Sequence, residues 1–194
     1  MKQISILCYH YIREAPEGSD PASWNYKLSV PPANFQAQMD YLHDNGYITL
    51  DMRDIAYHKK HNLPFPAKSV VLTFDDGHRS LWGEAKILFD AYKFRGVAYL
   101  VANWVGSEST YITWAQARSM QAFGLFEFGS HTVSHPYLPQ IAWEQQVTEL
   151  YGSRDALRNQ LNVPITSIAY PYGEYTTPVR QELKWAGYFT GVST

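Results

Sequence analysis

At 194 residues, 45% of them hydrophobic, the chain has enough apolar material for one domain with a sizeable core. A formal net charge of -2 gives no electrostatic basis for binding nucleic acid or an anionic membrane, and no apolar run is long enough to span a bilayer. The single cysteine, Cys8, excludes an internal disulfide and a cysteine-rich zinc site.

In chain order, residues 4–9 read as a short buried strand, too short for the apolar region of an export signal. Pro16, Gly18, Pro21 and Pro31 make residues 13–31 a loop. Phe35, Met39 and Leu42 recur at helical spacing, and Gly46 closes that helix. A strand at 47–50 precedes a helix capped by Asp51 and carrying Met52, Ile55 and Ala56 on one side. Residues 70–74 form the clearest strand, continuous and β-branched, ended by Asp-Asp-Gly. A helix over 81–92, a strand at 97–101, a helix over 114–123 capped by Thr113 and a strand at 125–128 follow. A long helix places Val147, Leu150, Tyr151, Leu157 and Leu161 on one face. A strand at 168–170, a helix over 177–186 and a strand at 188–192 complete the pattern. About seven strands alternating with helices predict an α/β fold, a distorted (β/α)7-type barrel of parallel strands. It is read as a single domain over 1–194, with 1–67 as an N-terminal segment of the same barrel.

His10, Asp75 with Asp76, Asn103, His131 and Pro171-Tyr172-Gly173 each lie just past a predicted strand, on the rim where parallel barrels keep their sites. One carboxylate and two neutral imidazoles make an incomplete sphere for a divalent metal, which leaves room for solvent. Pro136 disfavours helix at His135 and predicts an extended residue there. Alternation at a strand end predicts that only one of Asp75 and Asp76 faces the metal, leaving the other to accept a proton. His10 is a candidate proton donor. Trp24, Trp104, Trp114 and Tyr137 are candidate sugar-stacking faces beside loops, whereas His43, His58 and His61 read as helix surface and His78 as a loop residue near the site.

Thr73-Phe74-Asp75-Asp76-Gly77 and His131-Thr132-Val133-Ser134-His135-Pro136 match, without mismatch, two motifs of the polysaccharide deacetylase family, whose members share the NodB-type domain. Pro171-Tyr172-Gly173 resembles its third. The resemblance implies removal of acetyl groups from N-acetylated sugars, with Asp75 as base and Asp76, His131 and His135 as ligands of one divalent metal, zinc first, cobalt or nickel otherwise. It implies that the Tyr172 amide contributes to an oxyanion hole, with Pro171 beside it in the substrate cleft. An Arg that normally tethers the base is replaced by Ala169, and the late Leu-x-His motif is missing. Leu7-Cys8-Tyr9-His10 and the elements after it resemble the poly-β-1,6-N-acetylglucosamine deacetylase branch, in which an early His supplies the acid; here that is His10. The expected partner is a polysaccharide or oligosaccharide, in an extracellular, periplasmic or cell-envelope setting, although this chain shows no export signal and a cytoplasmic setting stays open. Peptidoglycan, chitin oligomers or acetylated xylan are alternative substrates, and a non-catalytic glycan-binding domain is the alternative class.

Overall fold

Val70, Val71 and Leu72 build the central strand β5 (Ser69–Phe74), which is buried from its second residue onward. The computed structural model describes residues 3–193; Met1, Lys2 and Thr194, inside the expected domain span, lie outside the described residues. One edge of β5 pairs with β1 (Ser5–Tyr9), in the register Cys8↔Thr73 and Tyr9↔Phe74. Its other edge pairs first with β4 (Ile48–Leu50) and then with β6 (Gly96–Leu100). The ladder continues through β7 (Phe126–Ser130), β8 (Ser167–Ala169) and β9 (Thr190–Val192), so seven strands run parallel.

Parallel neighbours require crossovers, and helices supply them. These are α2 (Pro32–Asp44), α3 (Met52–Lys60), α4 (Lys86–Tyr92), α5 (Trp114–Phe123), α6 (Trp143–Leu161) and α7 (Thr177–Trp185). The sheet curls into the expected distorted barrel but stays open. Among the described residues β1 and β9 share no ladder, and a cleft of ≈ 130 Å³, lined in part by Cys8, Thr73, Asp75, Ala169 and Val192, lies between them.

Three expectations change in detail. The strand read as buried at 4–9 is exposed from Ser5 to Cys8 and buries only Tyr9, because β1 is an edge of the open sheet. The proposed loop at 13–31 contains a short helix α1 (Trp24–Lys27), capped by Ser23, and its end pairs as β3 (Ser29–Val30) with β2 (Tyr11–Ile12). The helix expected over 81–92 begins as a π turn, Leu81–Ala85.

The main core gathers Phe35 and Met39 of α2, Phe74, Phe89, Phe126 and the inner face of α6. Toward the N-terminal half of the strands, Glu127 is buried but fully partnered. Its Oε2 accepts the Met52 and Arg53 amides at 2.8 and 3.2 Å, and its Oε1 accepts the Ser167 hydroxyl at 2.9 Å. The first turn of α3 therefore ends on a carboxylate, the charge a helix N-terminus favours.

Candidate active site

β5 ends at Phe74, and the chain leaves the sheet through Asp76 and Gly77, both left-handed at φ 69° and 76°. The two carboxylates are thus separated by a left-handed turn and not by the pleat of an extended strand. Asp76 Oδ1 lies 3.6 Å from His131 Nε2 and 3.7 Å from His135 Nε2. Tetrahedral donors with bonds of about 2.0–2.1 Å stand about 3.3 Å apart, so the three atoms are close to the edges of one coordination polyhedron. Asp76 Oδ1 is buried with no hydrogen-bond partner. His131 Nδ1 lies 2.8 Å from the Ala169 carbonyl. A carbonyl only accepts, so Nδ1 carries the proton and Nε2 presents its lone pair to the site. Burial pushes His131 down to about 3, helped by the neighbouring His135, and burial also lowers His135. Both imidazoles are neutral, as ligands must be. The residues fit a divalent cation.

The histidine loop is shaped by its own side chains. His135 donates its amide to Thr132 Oγ1 at 3.0 Å, and Thr132 donates its amide to Ser130 Oγ at 3.1 Å. Glu149 of α6 accepts the Val133 and Ser134 amides at 2.7 and 2.9 Å and the Ser134 hydroxyl at 2.6 Å. The loop expected from Pro136 is found, but His135 is left-handed at φ 61° and not extended. Of the eight left-handed non-glycine residues among those described, Asp76, Thr132, His135 and Tyr172 gather here. Such backbone persists where surrounding contacts over-determine it, commonly at functional sites.

Asp75 is 6% exposed. Its Oδ2 accepts the Cys8 thiol at 3.6 Å, whereas its Oδ1 has no partner. Burial, and then the charge of Asp76, push its carboxyl up to about 7; burial raises Asp76 to about 6 against the phenol hydrogen bond from Tyr11, 3.3 Å from Oδ2. His10 is half-buried beside Cys8 and Asp75, and burial lowers it to about 4.

Trp104 stacks on His135 at 5.2 Å and on Tyr111 at 5.1 Å; Tyr172 meets His135 edge-on at 4.7 Å, and Tyr137 lies 5.8 Å from Tyr172. These rings wall one side of the cluster. Pro171 is buried directly before Tyr172, which is left-handed at φ 58°. Two expected stacking faces are elsewhere. Trp114 opens α5 and packs against the main core, and Trp24 is exposed on α1 under Lys27. Tyr11, Tyr111 and Glu149 were not singled out from the sequence. Asn103, expected on the rim, is exposed and donates its amide to the Val133 carbonyl at 3.0 Å.

A family model described as polysaccharide deacetylase matches residues 62–191, more than half of the chain and all three motifs. The chain belongs to the polysaccharide deacetylase family. The deacetylase PplD of Streptococcus pyogenes, solved in complex with acetate, superposes on this polysaccharide deacetylase with a TM-score of 0.89. It is 32% identical, over 98% of this chain and 83% of that one. YxkH of Bacillus subtilis (strain 168) is 29% identical over 192 residues, 99% of this chain. The poly-beta-1,6-N-acetyl-D-glucosamine N-deacetylase of Escherichia coli (strain K12) is 25% identical over 210 residues, 87% of this chain. The chain spans 64% and 31% of the lengths of these two relatives.

Proposed function

We propose that this family member is a metal-dependent N-deacetylase removing acetyl groups from N-acetylglucosamine units of an exopolysaccharide, of the poly-β-1,6 type. One observation carries the reading: Asp76 Oδ1 and the Nε2 atoms of His131 and His135 converge beside a second buried carboxylate, Asp75, with an oxygen left unpartnered. A divalent cation held by those three supplies the positive charge that activates water and polarises an acetamide carbonyl. An N₂O donor set suits zinc, then cobalt or nickel.

The chain's own residues do the rest. Asp75 withdraws the proton of the attacking water; burial has brought its carboxyl up to about 7, near the range in which a general base works best. His10 is neutral in the resting protein, so the proton it delivers to the departing amine is one gained during the reaction. The main-chain N–H of Tyr172 supports the developing oxyanion, a task for a fixed donor. Trp104, Tyr137 and Tyr172 offer flat faces to sugar rings, with Pro171 holding the turn behind them. A polymeric exopolysaccharide places the working protein in the cell envelope, the periplasm or outside the cell.

The E. coli relative's name and the Leu7-Cys8-Tyr9-His10 segment support the β-1,6 assignment. Acetate release from defined N-acetylglucosamine oligomers tests it, using protein stripped of metal and reloaded with zinc. Zinc-dependent release, faster on β-1,6 than on β-1,4 linkages, is expected. Equal or faster release on β-1,4 oligomers removes the polymer assignment. No release from any N-acetylated oligomer by protein loaded with one equivalent of zinc removes the N-deacetylase assignment.

A further inference from the structure

We propose that Cys8, His10 and Asp75 form a second cation site, containing a thiolate, which disables the proposed base and acid when zinc fills it. The register that sets Cys8 opposite Thr73 and Tyr9 opposite Phe74 brings the next residues, His10 and Asp75, level across the β1–β5 pair. Cys8 and His10 are two residues apart and share a face. Cys8 Sγ lies 3.6 Å from Asp75 Oδ2 and 3.9 Å from His10 Nδ1, and donor atoms of all three lie within 4.8 Å of one another. Tetrahedral zinc with sulfur at about 2.3 Å and nitrogen or oxygen at about 2.0 Å separates such donors by about 3.5 Å.

Asp75 Oδ1 is buried and unpartnered, so no hydrogen bond to that oxygen opposes a turn of the carboxylate toward an ion on the Cys8 side. Cys8 is exposed on the cleft between β1 and β9, which gives an ion a way in. Coordination would deprotonate the thiol, the proton leaving to solvent, and a soft thiolate favours zinc-class ions over magnesium or calcium. None of the three donors is shared with Asp76, His131 and His135. The inhibitory consequence rests on the deacetylase reading; the binding itself does not.

Cys8 is the sole cysteine, so a thiol reagent reports this site alone. Metal-free protein titrated with zinc chloride is expected to take two equivalents, one of which slows thiol modification at least tenfold, reversibly with chelator. Cobalt chloride in place of zinc should then give thiolate charge-transfer absorption. Asp76→Asn should keep the protection while losing one equivalent; Cys8→Ser should bind one equivalent only; His10→Ala should weaken the protection. A thiol equally reactive with excess zinc overturns the proposal, as does protection that vanishes in Asp76→Asn or is untouched in His10→Ala. In turnover assays, excess zinc should suppress acetate release over the range that protects the thiol. A protein inactive at every zinc level, including levels that leave the thiol reactive, but with a thiol protected by excess zinc, would sink the deacetylase reading and leave the site standing.

Discussion

Glu127 and the Asp75–Asp76 pair are buried carboxylates of one sheet with opposite local chemistry. Glu127 receives two amides and a hydroxyl, whereas Asp75 and Asp76 each keep an oxygen with no partner. An unpartnered buried acceptor costs about 1–3 kcal/mol, a cost that a cation bound at the pair would remove. The saturated carboxylate ties the start of α3 and the first residue of β8 to β7. The unsaturated pair is where a ligand belongs.

The sharpest break of that contrast is Asp76→Asn, expected to lose the zinc equivalent held with His131 and His135 at neutral pH and, with it, acetate release; a Cys8→Ser, Asp76→Asn double variant that still binds one zinc removes its ligand role. Asp75→Asn should keep the zinc held by Asp76, His131 and His135 and lose about 10²- to 10⁴-fold in kcat. Near-normal turnover would exclude it as base. Glu149→Gln touches no cation directly but loosens the amides of Val133 and Ser134, and should weaken zinc affinity by about 10- to 100-fold, as outer-shell partners do. Unchanged affinity by competition with a chelator would show that the loop holds itself.

At the saturated end, Glu127→Gln should leave zinc and kcat alone while lowering stability by about 1–3 kcal/mol in urea melts. A loss of zinc there would merge the two regions. The smallest effect concerns pH. Burial pushes His78 down to about 4, against about 6.5 unfolded. The unfolded chain takes up the proton first, so this residue's contribution is intact above pH 6.5 and is lost as pH falls toward 4. His78→Gln should have a shallower decline in stability than wild type over that window.

Strands and helices whose apolar residues recur at a clear period were legible in the sequence, as were the metal-site candidates, because each follows a strand in a parallel barrel. Less legible were features made by contacts distant in sequence. Glu149 looks like any helix-surface acid until the fold sets it against the Val133 amide. The β2–β3 pair is two residues per strand inside a proline-rich stretch, below any periodic signal. Pro136 correctly argued against helix, but the left-handed His135 is imposed by Thr132 and by packing on Trp104 and Tyr172, which local propensity does not contain. Trp114 shows the reverse: a flat ring beside a loop that the core claims.

Glu149 also ties the chemistry to a distant place. It hangs from α6, which is seated in the protein by Leu150, Leu157 and Leu161. Any drift in how that helix is wedged is therefore transmitted to the spacing of two imidazoles. Selection on this enzyme's turnover would then police hydrocarbon side chains that never meet a sugar.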